Sequence, residues 1–128
     1  MANELILIVE DNDKNLKLVR DVLQFHGYRT LEAVTGTEGL AQASAHGPDL
    51  ILLDIQLPDL DGVQVLGRLR ADPGTAAIPV VALTAYAMKD DEARLLGAGF
   101  DGYVAKPIAV KEFPGQVRQY CDAGRRGT

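Results

Sequence analysis

The fold of this chain follows most directly from Leu50-Ile51-Leu52-Leu53-Asp54, four apolar residues that end in an acidic one. An unbroken apolar run, rather than an alternating one, is typical of a strand covered on both faces, as in a parallel sheet between helices. Three similar runs occur elsewhere, the last of them weaker, and one more polar segment is a candidate edge strand. They are Leu5 to Val9, Val80 to Leu83, Tyr103 to Ala105 and the polar Tyr28 to Ala33.

Amphipathic segments follow these runs and predict five helices, so that strands and helices alternate along the chain. Right-handed crossovers between parallel strands place helices on both faces of one sheet. We therefore expect an α/β, doubly wound, five-stranded parallel sheet. For the strand order we take 2-1-3-4-5, which is the common order of flavodoxin-like sheets of this kind. The helices are marked by Leu16, Val19, Val22 and Leu23 before His26-Gly27; Thr35 or Thr37 before His46-Gly47-Pro48; Val63, Leu66 and Leu69 before Asp72-Pro73-Gly74; Asp90, Asp91 and Glu92; and Val110, Phe113, Val117, Tyr120 and Cys121.

Pro114-Gly115 interrupts the last of these segments. Proline suits only the first turn of a helix, and glycine weakens any helix interior. A late or irregular start to the fifth helix is therefore expected.

Length and composition narrow the class of protein. A chain of 128 residues suits one domain, and we assign residues 1–121 to it and 122–128 to a flexible C-terminal tail. The net charge of −5 without a basic stripe argues against direct nucleic-acid binding. The longest apolar run is too short for a bilayer, the N-terminus lacks signal-peptide features, and Cys121 has no second cysteine to pair with. We therefore expect a cytoplasmic protein without membrane contact.

Chemically active side chains follow four of the predicted strands. Glu10 and Asp11 follow the first strand, Asp54 ends the third, Thr84 ends the fourth and Lys106 follows the fifth. Ligands of such sheets bind beyond the carboxyl ends of the strands. In the order 2-1-3-4-5 these four strands are neighbours, so three carboxylates, a hydroxyl and an ammonium should meet at one edge of the sheet.

This set of groups suits phosphoryl transfer. Crowded carboxylates raise each other's pKa unless a cation intervenes, and hard oxygen ligands favour Mg²⁺. Asp54 could then act as a carboxylate nucleophile toward a phosphoryl group held by the metal, by Lys106 and by the hydroxyl of Thr84. Such a reaction needs mainly positioning and charge neutralisation.

Four motifs in this order resemble the signature of response-regulator receiver domains. They are Glu10-Asp11, the segment Asp54-Ile55-Gln56-Leu57-Pro58-Asp59-Leu60-Asp61-Gly62, Thr84-Ala85 and Lys106-Pro107. The resemblance covers about residues 4 to 121. It implies that Asp54 is phosphorylated, and that Mg²⁺, or Mn²⁺ in its place, is held by Glu10, Asp11, Asp54 and the backbone carbonyl of Gln56.

The resemblance also implies a switch and a set of partners. Thr84 and Lys106 would contact the phosphoryl group, Tyr103 matches the switch aromatic, and the Lys106-Pro107 bond is a candidate cis peptide. The phosphoryl donor would be a sensor histidine kinase or a histidine phosphotransfer protein. Since no DNA-binding segment follows, we expect a stand-alone receiver that signals to a downstream protein target, as a monomer or weak dimer. Gln56 and Tyr86 either tune dephosphorylation or are inert loop residues.

Three other functions compete with this interpretation. An aspartyl-nucleophile phosphatase places a second Asp two residues after the nucleophile, where this chain has Gln56 and therefore no general acid. A flavin carrier of flavodoxin type needs a phosphate-binding loop after the first strand, where the acidic residues 10–13 would repel a phosphate. A phosphorylation-independent adaptor would not need the acidic pocket. We therefore expect no enzymatic activity apart from Mg-dependent self-phosphorylation and autodephosphorylation at Asp54.

Overall fold

Within the residues that the structure describes, five strands and five helices alternate in sequence, as predicted. The computed structural model describes residues 3–85 and 89–123, without the side chains of 89–91. The strands are β1 Leu5–Val9, β2 Arg29–Ala33, β3 Leu50–Asp54, β4 Val80–Thr84 and β5 Gly102–Ala105. The helices are α1 Asp13–Phe25, α2 Gly36–His46, α3 Gly62–Ala71, α4 Lys89–Ala98 and α5 Phe113–Ala123.

All neighbouring strands of the sheet are parallel, and their order is β2-β1-β3-β4-β5. The predicted doubly wound topology is therefore confirmed. Among the described helices, none is long and apolar enough to cross a membrane.

The two faces of the sheet carry separate halves of the core. On β3, Leu50 and Leu52 pack with residues of α1 and α5, whereas Ile51 and Leu53 pack with residues of α2, α3 and α4. Neighbouring side chains of a strand point to opposite faces, so a strand between two helical layers needs apolar residues at every position. That requirement explains the unbroken apolar runs of β1, β3 and β4.

The strand register aligns the carboxyl ends of four strands. Val9 is paired with Leu53, Asp54 with Leu83, and Thr84 with Ala105. Each strand therefore ends within a residue or so of its neighbours, and the residues that follow are brought to one edge of the sheet.

Helix caps hold the chain directly beside this edge. Asn12 caps α1 by accepting a hydrogen bond from the Asn15 amide at 3.0 Å. Asp61 caps α3 by accepting from the Gln64 amide at 2.8 Å, while the Gln64 side chain accepts from the Asp61 amide at 3.1 Å. These caps, of which the one at α3 is reciprocal, fix the residue at which each helix begins. They therefore fix where the loops that carry the acidic residues end.

Some boundaries differ from the sequence prediction. β2 begins at Arg29, and Tyr28 is instead buried in the core beside α1 and α5. Val110 was expected on the apolar face of the fifth helix, but it precedes α5 and is 50% exposed. The late start predicted from Pro114 is confirmed, because α5 begins at Phe113 and the proline lies in its first turn.

Two further helix predictions need adjustment. Val63 was predicted on the apolar face of α3, but it is 42% exposed and Val65 is buried in its place. Helix α5 ends at Ala123, within the segment 122–128 that was expected to be a tail. Residues 124–128 of that segment lie outside the described residues. The side chains of Asp90 and Asp91, which were expected to favour the start of α4, are also outside the description.

An ion pair ties the start of β1 to α5 and makes stability depend on pH. Arg118 Nη1 lies 3.1 Å from Glu4 Oε1, and this hydrogen bond is the main cause that lowers the pKa of Glu4 from 4.5 to about 2. The contribution of a carboxylate with a depressed pKa is complete above its unfolded-state pKa and is lost as the pH falls through the folded-state value.

Replacement Glu4→Gln should therefore lower the free energy of unfolding at neutral pH by about 1 kcal/mol or less, since both side chains of the pair remain partly exposed to solvent. The difference between parent and variant should narrow as the pH falls from 4.5 towards 2. Urea unfolding at a series of pH values measures it, with Glu112→Gln, an exposed carboxyl before α5, as the control. A difference that stays constant over this range would contradict the assignment.

Candidate functional site

Three carboxylates meet at the carboxyl ends of β1 and β3. One oxygen each from Glu10, Asp11 and Asp54 lies within 4.8 Å of the others. Glu10 is fully buried and Asp54 is 4% exposed, whereas Asp11 faces solvent. The cluster predicted from the strand ends is therefore present, with two buried acids at the base and an exposed one at the rim.

Lys106 bridges the two buried carboxylates. Its Nζ atom lies 2.7 Å from Glu10 Oε1 and 3.1 Å from Asp54 Oδ2. The contact with Glu10 is the shorter of the two, and the ammonium lies against Oε1, the buried oxygen of that carboxylate. The backbone brings the lysine here, because the Lys106 amide donates to the Thr84 carbonyl at 2.8 Å.

The pKa shifts show how these charges affect one another. Burial raises the pKa of Glu10, and the neighbouring Asp54 carboxylate raises it further, against the opposing effect of Lys106. Burial lowers the pKa of Lys106, but its contacts with Glu10 and Asp54 outweigh burial and raise it. The ammonium therefore stays charged, and one ammonium does not compensate for the carboxylates around it.

The residues present fit a hard divalent cation. The cluster offers carboxylate oxygens from two strand ends, and two of the three acids that supply them, Glu10 and Asp54, are buried. Oxygen ligands of this kind suit Mg²⁺, which binds through few carboxylates and keeps several waters. A cation here would supply the positive charge that the cluster lacks.

The loop of residues 55–61 leaves the site and returns to its own start. The Gln56 amide donates to Asp54 Oδ1 at 3.0 Å, and the Gly62 amide donates to the Ile55 carbonyl at 3.0 Å. A Cβ atom at Gly62 would lie 2.6 Å from the Ile55 Cα atom, so only glycine allows this close approach. Asp54 is therefore oriented by its own loop, while the role of the Gln56 carbonyl as a ligand remains a prediction.

Thr84 and the Lys106-Pro107 peptide lie where the strand ends place them. Thr84 is 1% exposed and follows Leu83, which is paired with Asp54 in the sheet. The Lys106-Pro107 bond is cis, as the resemblance led us to expect. Tyr86, one of the two residues considered for dephosphorylation, lies outside the described residues.

Tyr103 is half-buried on the edge strand β5 and packs against the core on the α3 and α4 side. Its pKa is raised, first by burial and then by the neighbouring Glu92 carboxylate of α4. The Tyr103 carbonyl accepts a hydrogen bond from the Tyr120 hydroxyl of α5 at 3.2 Å. Tyr103 thus connects β5 to both flanking helices, and the partner Glu92 was not identified from the sequence, where it served only as a helix-start signal.

Residues 6–118 match the family described as the response regulator receiver domain. The polar-differentiation response regulator DivK of Brucella ovis is 45% identical over 115 residues, which cover 90% of this chain and 94% of that protein.

The chain belongs to the response regulator receiver family. Two solved receivers share its fold. A CheY-like receiver domain protein from Methanospirillum hungatei is 30% identical with a TM-score of 0.84, and the match covers 94% of this chain and 95% of that one. The receiver domain of the sensor histidine kinase PA1611 from Pseudomonas aeruginosa is 32% identical with a TM-score of 0.85, and the match covers 94% of this chain and 98% of that one. That receiver has a magnesium ion coordinated in its active site cleft.

Membership in this family favours the receiver among the functions that compete on such a sheet. Receiver domains interact with histidine kinases or phosphotransfer proteins and are not conventional enzymes. The acidic cluster at the carboxyl ends of β1 and β3 is then the receiver's candidate metal site.

Addition of Mg²⁺ should stabilise the folded protein, because the cation relieves repulsion among Glu10, Asp11 and Asp54. A ligand present at 100 times its Kd stabilises by about 2.7 kcal/mol. Replacement Asp11→Asn should weaken this response and slightly stabilise the metal-free protein, since Asp11 is exposed and its charge repels the buried pair. A thermal-shift titration measures both effects.

The matched control is Glu112→Gln, which removes the same charge from an exposed position outside the cluster. It should retain the Mg²⁺ response of the parent. Equal responses of parent and Asp11→Asn protein would remove Asp11 from the ligand set, and a parent that does not respond to Mg²⁺ would contradict the site as a whole.

Proposed function

We propose that this chain accepts a phosphoryl group on Asp54 from a histidine kinase or a histidine phosphotransfer protein, in a reaction that requires Mg²⁺ or Mn²⁺. The observation that carries the proposal is the state of the Asp54 carboxylate. It is buried, one oxygen accepts from the Gln56 amide at 3.0 Å, and the other lies 3.1 Å from the Lys106 ammonium. A carboxylate held in one orientation beside a cation is suited to attack phosphorus.

The ligands proposed for the cation are Glu10, Asp11, Asp54 and the backbone carbonyl of Gln56. The metal would supply positive charge to the carboxylates and to the oxygens of the incoming group. The magnesium ion in the cleft of the PA1611 receiver supports this assignment, as does the cluster of carboxylate oxygens in this chain.

The chain's own residues then have separate roles. An oxygen of Asp54 forms a bond to phosphorus as the bond from phosphorus to the donor's imidazole nitrogen breaks, and the electron pair of that bond returns to the nitrogen. Lys106 has three N–H donors, so it can bind a phosphoryl oxygen and still remain beside Glu10. The Thr84 hydroxyl would donate to another oxygen, and burial of Asp54 limits the access of water to the acyl phosphate.

The comparisons also support a stand-alone receiver that signals through its surface. The match to the response regulator DivK of Brucella ovis covers 94% of that protein. We infer that phosphorylation here changes a protein-binding surface formed by α4, β5 and α5, around Arg94, Tyr103 and Lys111. Downstream protein partners would bind this surface.

Phosphorylation can be tested with a small phosphodonor and Mg²⁺. The parent should gain one acid-labile and base-labile phosphoryl group, and Asp54→Asn should gain none, because an amide is not a nucleophile of this kind. Intact-mass spectrometry measures the label. The control is Asp61→Asn, which changes another carboxyl of the same loop while leaving a residue that still caps α3. Equal labelling of the Asp54→Asn protein would contradict the assignment.

The output surface makes a separate prediction. The phosphoryl group carries about −1.5 to −2 charges, and it should draw the Thr84 hydroxyl inward. Space would then open beside the Tyr103 ring, which can leave the Glu92 carboxylate and turn inward. A beryllofluoride phosphate mimic should shift the amide resonances of Tyr103 and Glu92 in addition to those of the loop 55–61, and Thr84→Ala should weaken the shifts at Tyr103.

The measurement is a comparison of amide NMR spectra with and without the mimic, for the parent and for Thr84→Ala. A partner that prefers the altered surface would gain about 1–3 kcal/mol of coupling, which is typical of allosteric proteins. Shifts confined to the residues next to Asp54 would refute the switch and indicate that partners read the phosphorylated pocket directly.

A further inference from the structure

Asp59 links the loop of residues 55–61 to the start of α2. Among the described residues its exposed carboxylate accepts four hydrogen bonds, from the Gly36 amide at 2.7 Å, the Thr37 amide at 3.0 Å, the Thr37 hydroxyl at 2.6 Å and the Leu60 amide at 2.9 Å. Hydrogen bonds from Thr37, followed by that from the Gly36 amide, lower the pKa of Asp59 well below its usual range. The carboxylate is therefore ionised throughout the neutral range.

The loop completes the cap of the helix. The first amides of an α-helix lack partners within the helix. Thr35, the N-cap residue, accepts a hydrogen bond from the Glu38 amide at 3.0 Å. Asp59 supplies the acceptors for the two preceding amides of the helix, those of Gly36 and Thr37. A side chain 22 residues away in sequence thus satisfies two donors that a local cap leaves open.

Packing at this junction leaves no room for movement towards α2. A Cβ atom at Gly36 would lie 2.9 Å from Val65 Cγ2, 3.0 Å from Leu60 Cβ and 3.2 Å from Asp59 Oδ1. Those distances are shorter than van der Waals contact, so glycine is needed for the helix start and the loop to approach this closely. Interiors packed in this way transmit a displacement to their neighbours.

The same loop carries the groups that orient Asp54. It begins with the Gln56 amide on Asp54 Oδ1 and closes through an isolated bridge between Gln56 and Asp61 and the Gly62 amide on Ile55. Asp59 lies at the far side of this closed loop, where its bonds to α2 oppose any rotation of the loop as a unit.

We propose that Asp59 is a positioning residue, which fixes the loop against α2 and so holds Gln56 in place for Asp54 and for the cation. The inference rests on the proposed function, because it assigns the loop's position a role in Mg²⁺ binding and phosphorylation. Residues that orient a metal's ligands from behind typically change metal affinity 10- to 100-fold when replaced. A residue that only capped α2 would change stability and leave Mg²⁺ affinity unaltered.

The experiment compares Asp59→Ala and Thr37→Val with the parent. Thr37→Val removes the hydroxyl donor and retains the backbone amide, so it loosens the link by a smaller step. The control is Asp49→Asn. It removes the charge of a carboxylate that accepts a hydrogen bond from the Leu5 amide at 2.8 Å, next to the opposite end of β3. Urea unfolding gives the stability of each protein, so that metal affinity can be judged against the stability lost.

The first readout needs no metal. Hydrogen exchange of the Gln56 amide in metal-free protein should become faster in Asp59→Ala, to a lesser extent in Thr37→Val, and not in Asp49→Asn. The second readout is the Mg²⁺ dependence of labelling by a small phosphodonor. Asp59→Ala should need about tenfold more Mg²⁺ for half-maximal rate, and saturating Mg²⁺ should restore the rate to that of the parent.

The outcomes separate this inference from the proposed function. If Asp59→Ala loses stability while its Gln56 exchange and Mg²⁺ dependence match the parent, Asp59 only caps α2 and the inference is overturned. If the parent itself takes up no phosphoryl group, the proposed function fails, and the metal-free exchange of Gln56 still decides whether Asp59 positions the loop.

Discussion

Two buried carboxylates and one ammonium determine the character of this molecule. Glu10 and Asp54 both approach Lys106, at 2.7 and 3.1 Å, in a place where water is largely excluded. Buried charges are tolerated only when they are paired, and among the side chains that the structure describes one cation, Lys106, faces two buried anions with a third at the rim. Burial raises the pKa of Glu10, and the Asp54 carboxylate beside it raises it further. Binding of a cation, and then of a phosphoryl group, can therefore be coupled to the relief of a repulsion that the fold itself maintains.

The sheet makes this crowding unavoidable. β1, β3, β4 and β5 are adjacent and parallel, and their register brings Val9 level with Leu53 and Thr84 level with Ala105. The apolar sides of the helices cover both faces of the sheet, so the polar residues at these strand ends lie at its edge. Separating the charges would require a change of register, which would move every side chain of a strand to the opposite face. The stability of the two core layers thus holds the acids together.

Sequence patterns were sufficient to predict the elements whose structure depends on local periodicity. The unbroken apolar runs predicted β1, β3 and β4, and the residue after each run predicted the site, because parallel strand ends share an edge. Val110 shows where this reasoning stops, since an apolar residue in front of Pro114 looked like the start of a helix face and is half exposed instead. The contact of Glu92 with Tyr103 and that of Asp59 with Thr37 join side chains far apart in sequence. Their pairing depends on how the helices are placed, which no local pattern records.

These two contacts connect the surroundings of the acidic cluster to different helices, Asp59 to α2 and Tyr103 to α4. Asp59 ties the loop after Asp54 to α2 with bonds of 2.6 to 3.0 Å, and close packing at Gly36 makes that side stiff. Tyr103 connects β5 to α4 through Glu92 and to α5 through Tyr120, and its ring is only half buried. The proposed phosphoryl group on Asp54 would act on both sides, where the junction with α2 is tightly packed and Tyr103 is only partly enclosed. The structural response should therefore appear on the side of α4, β5 and α5, with α2 acting as the fixed support against which the loop is held.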